Sequence, residues 1–368
     1  MENRNYYFAL SLTGIFSTAT CHKLLAAAGS AAALFQAPDS FFRKLKGLRR
    51  SSVEAFLKER KRLDPVKAMD SCEEQGISWT TLDDPDYPEL LREIHAPPLT
   101  LFTKGKRLRC GLYPLAVVGT RRCSHYGRRA VEEITGGLPP QVTVVSGMAA
   151  GIDGHAHRAA VDQGKETIAV LGTGVDIVYP QVNRPLYRDL LRNGTLVSEF
   201  PPGTAPQKHH FPQRNRIISG LSRGVLVVES SHRSGSLITA SFALEQGRDV
   251  FAVPGSIFRG TCRGTNALIK AGAVPVTGGN DILQLWGVKK KEAGGKGMTP
   301  VSLTEDEKTV INHLSTEEPV SMEEISAALE GYLPMGRLSA ALLGLKMKKR
   351  VMELDSRRFV LKKNEDES

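Results

Sequence analysis

Short apolar runs separated by amphipathic stretches set the rhythm of the middle of this chain. Leu115–Val118, Val142–Val145, Thr167–Leu171, Thr195–Val197, Val225–Val228, Val250–Val253 and Ala273–Val276 are rich in valine and isoleucine. Helical patterns lie between several of them, at Tyr126–Ile134, Ile152–Gln163, Tyr187–Arg192, Ile217–Leu221, Leu237–Gln246 and Thr265–Ala271. Strands apolar at every position are buried on both faces, and their alternation with helices predicts a parallel sheet covered on both sides. The expectation is an α/β protein with a Rossmann-like core and right-handed crossovers.

The flanks follow other patterns. Residues 5–70 read as a small helical unit, with helices at Tyr6–Leu12, Ala19–Ala28, Ser30–Gln36, Pro38–Lys44 and Val53–Leu63. Within it, Leu12-Thr13-Gly14-Ile15 followed by Leu24–Gly29 outlines a SAM or helix-hairpin-helix-like fold. A hairpin that holds DNA uses a second glycine to bring backbone N–H groups to a phosphate, and Phe16-Ser17 stand there instead. Packing and DNA contact are therefore both readings of this unit. Residues 71–110 read as a connection, punctuated by the turn-rich Asp83-Asp84-Pro85-Asp86-Tyr87-Pro88. Past the core, Lys289-Lys290-Lys291 and Gly294-Gly295-Lys296-Gly297 mark a flexible linker. Helices at Glu305–Leu314, Ser321–Leu329 and Gly336–Lys348, then a hairpin of Val351–Leu354 and Arg358–Leu361, describe a winged-helix-like domain. The expected boundaries are 1–75, 76–286 for the core with its lead-in, 287–301 for the linker and 302–363.

A length of 368 residues accommodates these domains, each with its own core. No apolar run is long enough to span a bilayer, and the N-terminal stretch reads as an amphipathic helix rather than a signal peptide. The expected location is the cytoplasm. Five scattered cysteines, Cys21, Cys72, Cys110, Cys123 and Cys262, form no CxxC pair, which suits a reducing compartment without zinc or disulfides. His155 and His157, two apart, lack partners at metal spacing and read as structural. Neither a metal nor a cofactor is expected. The net charge of +10 favours a polyanionic partner. Lys/Arg against Asp/Glu number 12 and 8 over residues 1–75, 23 and 17 over 76–285, and 14 and 14 beyond. The excess thus sits on the first two parts, and the neutral end domain is a poor candidate for the main DNA contact.

The chemistry concentrates where strands end. Gly119-Thr120-Arg121, Ser146-Gly147-Met148-Ala149-Ala150-Gly151, Gly172-Thr173-Gly174 and Pro254-Gly255-Ser256 follow strands, and Ser234-Gly235-Ser236 opens a helix. In an open parallel sheet such ends share one rim, where ligands bind. Glycines admit a close backbone approach, and helix N-termini offer free N–H groups to phosphate. Between two strands lies Lys208-His209-His210-Phe211-Pro212-Gln213-Arg214-Asn215-Arg216. Pro212 places Lys208 to Phe211 on a loop and Arg214 to Arg216 in the first helical turn. Cations oppose the helix dipole there, so an anion is expected beside them. The alternative is pairing with carboxylates of the chain itself, of which Glu199 and Glu229 are nearest in sequence. Phe211 reads either as a stacking surface or as a core residue beside Ile217.

These segments resemble the DNA-processing protein A (DprA/Smf) family. The resemblance is carried by Val118-Gly119-Thr120-Arg121, Ser146–Asp153, Phe211–Ile218 and Ser234-Gly235-Ser236-Leu237-Ile238-Thr239-Ala240. It covers most of the chain and is strongest over residues 116–283. It implies a single-stranded DNA-binding protein that protects incoming strands and helps RecA assemble during natural transformation and recombination. It further implies a homodimer formed through the core. By the same resemblance Arg121 and Lys208 contact DNA and Phe211 contacts a base. The expected DNA-binding set is Gly119, Thr120, Arg121, Ser146, Gly147, Gly151, Lys208, Phe211, Arg214, Asn215, Arg216, Ser234, Gly235, Ser236 and Gly255, with no catalytic residue.

The main rival is a nucleotide hydrolase of the phosphoribohydrolase type, which a similar glycine-rich rim supports. Such enzymes carry Pro-Gly-Gly-x-Gly-Thr followed by a glutamate. Here Pro254-Gly255 runs into Ser256-Ile257-Phe258-Arg259-Gly260-Thr261, and no carboxylate follows before Asp281. Asp153 is the one candidate acid, and ordering a helix start is its other role. A NAD-dependent dehydrogenase would need Gly-x-Gly-x-x-Gly after the first strand, which is missing. A transcription factor would act through the end domain, whose charge is neutral.

Overall fold

The seven apolar runs become parallel strands of one sheet. In the computed structural model, residues 2–288, 303–315, 318–329, 331–348, 350–354 and 358–361 are described. They fall into two compact units, Met1–Lys290 and Lys291–Ser368. The first unit carries β1 (Ser78–Thr81), β2 (Thr100–Gly105), β3 (Tyr113–Val118), β4 (Val142–Ser146) and β5 (Thr167–Val170). It continues with β6 (Thr195–Ser198), β7 (Gly224–Val227), β8 (Asp249–Ala252) and β9 (Val274–Pro275). The order is β1-β2-β6-β5-β4-β3-β7-β8-β9. From β6 to β9 every pairing is parallel, with Ala116 opposite Val145 on one side of β3 and opposite Val225 on the other.

Side chains alternate across the sheet, and both faces are buried. Ala116, Val118, Val145, Val170, Val197, Val225 and Val227 pack with Ile217, Ile218, Leu221 and Ala240. Leu115, Val117, Val144, Leu226, Val228 and Phe251 pack with Val131, Ile134, Ile152, Ala156 and Trp286. Successive strands leave β3 toward β4 on one side and reach β7 on the other. Such a switch point is where open α/β sheets form their crevice.

Two strands escape the sequence pattern. The lead-in segment, expected as a connection, supplies β1 and β2, which extend the sheet antiparallel from β6. Their threonines and short length hide them among turn residues, although Leu101 and Phe102 are fully buried. The N-terminal helices pack onto this extension. Phe8, fully buried, lies 4.8 Å from Trp79 and 5.8 Å from Phe102 between ring centroids. A further helix, Pro65–Glu74, starts with Pro65 at its first position and Asp64 accepting from Lys67 N–H, a pattern that favours helix initiation. The helical unit keeps its own apolar cluster around Leu24, Leu34, Phe42 and Phe56. It nevertheless belongs to one compact unit with the core.

The second unit has helices Glu305–Ile311, Met322–Ala328 and Met335–Met347 and strands β10 (Val320–Ser321), β11 (Val351–Leu354) and β12 (Arg358–Leu361). Its antiparallel order is β10-β12-β11. Capping boxes at Thr304/Glu307 and Ser321/Glu324 start two of the helices. Residues 289–301 of the expected linker and Asp355-Ser356-Arg357 lie outside the described residues. Among the described residues no helix is long and apolar enough to cross a membrane.

Candidate nucleic-acid interface

The loops at the carboxyl ends of β3, β4, β5 and β7 lock onto one another before they face solvent. Gly151, at φ +79°, carries the chain into the helix Ile152–Asp162, and a Cβ on it would lie 2.7 Å from the backbone carbon of Arg121. Ile152 N–H donates to Thr120 O at 3.2 Å, and Thr120 N–H donates to Glu229 O at 2.7 Å. Gly147 N–H donates to the Asp153 carboxylate at 3.1 Å. Gly255 N–H donates to the Asn266 side chain at 3.1 Å. These N–H groups, expected to be free for phosphate, are already engaged inside the fold. A Cβ on Gly119 would lie 3.0 Å from Glu229 O. The glycines therefore serve loop-on-loop packing.

The helix that holds the basic segment begins earlier than expected, at His210, and runs to Gly220. Pro212 is tolerated because the first N–H groups of a helix have no intrahelical acceptor to lose. Phe211 thereby enters the first turn, and Arg214 falls in the second. That shift turns the two arginines away from the solvent-facing role assigned to them.

Arg214 is buried, with 4% of its surface exposed. Its Nη1 donates to Gly147 O at 2.7 Å and to Val170 O. Burial lowers its pKa to about 10, opposed by the adjacent Asp153 carboxylate, while Arg121 lowers it further. Asp153 is raised by its own burial, against the pull of Arg214 and the N–H groups of Gly147 and Ala149. This cation organises the β4 loop from beneath. Arg216 Nη2 pairs with Glu199 and reaches Thr18 Oγ1 at 3.4 Å, tying the helical unit to the core. For Arg216 the internal carboxylate, not an external anion, is the partner in the structure. Ser146 is fully buried with its hydroxyl donating to Val117 O at 2.6 Å, and Ser236 donates to Ser230 Oγ at 3.0 Å. Both hydroxyls are engaged inside the fold.

What remains on the surface is compact in chemistry. The half-buried Phe211 ring rests on Gly172, where a Cβ would come within 2.9 Å of it. Tyr179 lies beside it at 5.3 Å between centroids, and the Arg121 guanidinium sits over it at 5.7 Å. Arg121 and Lys208 are exposed, and no carboxylate among the described residues bridges Lys208. Phe211 belongs to none of the buried clusters that contain Ile217. The core reading of Phe211 is thus not the one the fold adopts. Asn215 donates to Gly235 O at 3.2 Å, bringing Ser234 and Gly235 to the same segment. Tyr179 was missed in the sequence, where it stands in a Val-Tyr-Pro turn; an aromatic residue soon after a glycine loop was the available signal.

The buried histidines support rather than face this surface. His210 stacks on Phe200 at 4.0 Å, hydrogen-bonds Gly172 O at 3.1 Å, and is lowered mainly by burial. His157 shares a 2.7 Å hydrogen bond with Thr167 and is pushed down to about 3, by burial first and then by Arg214. Among the described residues no group of three or more His, Cys, Asp or Glu side chains is placed to hold a metal ion.

The chain is similar to known proteins. The chain is 51% identical over 207 residues to DNA processing protein DprA of Streptococcus pneumoniae, covering 56% of this chain and 73% of that protein. It is 35% identical over 340 residues to Protein Smf of Synechocystis sp., covering 83% and 85%. The solved structure of the S. pneumoniae protein superposes with a TM-score of 0.67 at 40% identity, over 77% of this chain and 98% of that one. A structure reporting the single-stranded DNA binding mode of DNA processing protein A from Helicobacter pylori superposes with a TM-score of 0.52 at 25% identity, over 57% and 95%. Residues 78–287, which contain all nine strands of the sheet and every loop of the rim, match the sequence model of the DNA recombination-mediator protein A family, and the chain belongs to it.

Proposed function

We propose that this chain binds single-stranded DNA along the rim and acts in the cytoplasm as a recombination mediator that protects incoming strands and helps load RecA. The observation that carries the reading is the Phe211 ring seated on Gly172 beside Tyr179, with the exposed Arg121 over its face and the exposed Lys208 three residues before it. An aromatic face stacks on any base, and unpaired cations hold phosphates, so the site tolerates sequence and prefers an unpaired strand. The strand-binding mode reported for the H. pylori protein supports it. RecA loading and strand protection rest on the family resemblance.

The protein is read as a binder rather than a hydrolase. A hydrolase needs an acid or base in reach of its substrate. Asp153 is 6% exposed and engaged by Gly147 N–H, and Glu229 is fully buried with Ser124 N–H donating to it at 2.8 Å. Self-association through the core is part of the proposal, and among the described residues β9 ends the sheet with one edge unpaired. Titrating single-stranded and duplex oligonucleotides over a range of salt tests the main claim. A strong preference for single strands that weakens with salt is expected; equal affinity for duplex rejects it. Release of free base from nucleoside monophosphates would favour the hydrolase instead.

A further inference from the structure

The Phe211 platform lies on the β5 side of the rim, and the β8 side carries an aromatic residue that the fold leaves bare. Phe258 is 89% exposed and Ile257 73%, at the tip of the loop between β8 and the helix Arg263–Lys270. Apolar side chains scattered singly on a surface need no explanation, but this pair is held outward by a loop fastened at both ends. At its entry the Tyr126 hydroxyl donates to Pro254 O at 2.7 Å, and the Asn266 side chain accepts from Gly255 N–H at 3.1 Å and donates to Gly255 O at 2.9 Å. At its exit Cys262 is buried, and Gly264 N–H donates to Ser230 O at 2.8 Å, which ties the loop to the end of β7. Between these anchors Arg259 N–H donates to Ser256 O at 3.1 Å and Phe258 N–H to Ser256 Oγ at 3.3 Å. That closes a turn with Ile257 and Phe258 as its central residues.

The charge along this side of the rim has one sign. Residues 119–131, 230–244 and 250–280, at and beyond the ends of β3, β7 and β8, contain no Asp or Glu. Arg121, Arg122, Arg233, Arg259 and Arg263 are exposed there, and among the described residues none of the five has a carboxylate partner. In the order β5-β4-β3-β7-β8, four strand spacings separate β5 from β8. At about 4.8 Å each, the ends of the two strands lie about 19 Å apart. Phe211 rests on Gly172 at the end of β5, Arg121 comes from the end of β3 over that ring, and the arginines after β7 and β8 continue the row to Phe258.

Resting on the strand-binding reading, we infer that Phe258 is a second base-stacking platform, and that Arg233, Arg259 and Arg263 hold phosphates of the same single strand as it crosses the rim from Phe211. Stacking on a bare ring and phosphate capture by unpaired arginines are the two contacts that bind a strand without reading its sequence. A strand that rises about 3.4 Å per nucleotide, as in a duplex, needs about six nucleotides for the crossing, and a more extended one needs fewer. A second copy of the chain is the poorer occupant. An isologous contact through this tip would set the row of unpaired arginines against itself, and like charges facing one another oppose association.

Titrating the full chain with a twenty-nucleotide oligothymidylate tests the crossing. Phe258→Ala is expected to weaken binding by about tenfold, with melting and salt slope unchanged. Arg259→Ala should flatten the salt slope by about 0.7. The same oligonucleotide with bromodeoxyuridine in place of thymidine, irradiated in the complex, should crosslink to the peptide that contains Phe258 as well as to the one that contains Phe211. An unchanged affinity in Phe258→Ala or no crosslink to its peptide would overturn the inference. So would a Phe258→Ala protein whose mass by light scattering drops, which would give the tip to a second copy. Loss of binding in Phe211→Ala with none in Phe258→Ala overturns this inference alone, whereas a native protein that binds no single strand overturns the proposed function with it.

Discussion

The lead-in and first turn of the helix His210–Gly220 and the turn that follows carry the same kinds of residue and end in opposite environments. Lys208 and Phe211 look outward, beside exposed Arg121. Arg214 and Arg216, three and five residues beyond Phe211, are drawn inward by Gly147, Val170, Asp153 and Glu199. A helix turns by roughly 100° per residue, so neighbouring cations on it meet different surroundings. The comparison teaches that a cluster of cations in sequence is not a cluster of cations in space. One half of the segment is built to meet a polyanion, and the other half holds the platform on which the first half stands.

The division predicts a graded series of effects. Arg214→Ala should have the largest, because it leaves the buried Asp153 without its cation and two backbone carbonyls without a donor. Leaving a buried acceptor without its donor costs about 1–3 kcal/mol. Chemical denaturation should show that loss, and Arg214→Lys should restore little of it, since one ammonium does not match the planar fork. Wild-type stability with reduced strand affinity would place Arg214 on the surface set instead.

His157 should produce the next largest effect, in acid. Its folded pKa of about 3 lies below the ordinary value of 6.5, so the unfolded chain takes a proton that the folded chain refuses. Its contribution is complete above about pH 6.5 and is lost as the pH falls toward the folded value, at about 1.4 kcal/mol per pH unit. Thermal melting from pH 7.5 to 5 should show a steeper decline for the native protein than for His157→Gln. Parallel curves would overturn the assignment of this acid sensitivity to buried His157.

Phe211→Ala should spare the fold and weaken single-strand binding by about tenfold or more, the equivalent of losing one base stack. The dependence on salt should stay unchanged, because no phosphate contact is lost. A lowered melting temperature with normal affinity would return Phe211 to the core and erase the contrast. Lys208→Ala should have the smallest effect, a modest loss of affinity with no change in melting. Its signature is a salt slope flatter by about 0.7.

Much of the architecture was legible because it is local. Continuous valine and isoleucine runs mark β3 to β8, and glycine-rich stretches after them mark the rim, since burial on both faces and tight turns write themselves into neighbouring positions. Lys208, Phe211 and Arg121 were legible as candidates for the same reason. β1 and β2 were not, for their threonine-rich residues become strands only when β6 offers an edge to β2 and β2 in turn offers one to β1.

The sequence alone determined which side chains could bind an anion, but the tertiary structure decided which of them do something else. Arg216 found Glu199, seventeen positions away, and Arg214 came to lie beside Asp153 on another helix. Phe211 was placed on Gly172 at the end of β5 rather than among the buried residues around Ile217. The physical reason is that a buried cation must be neutralised and hydrogen-bonded wherever the fold puts it. Its partners are set by distance in space, which the order of residues does not record.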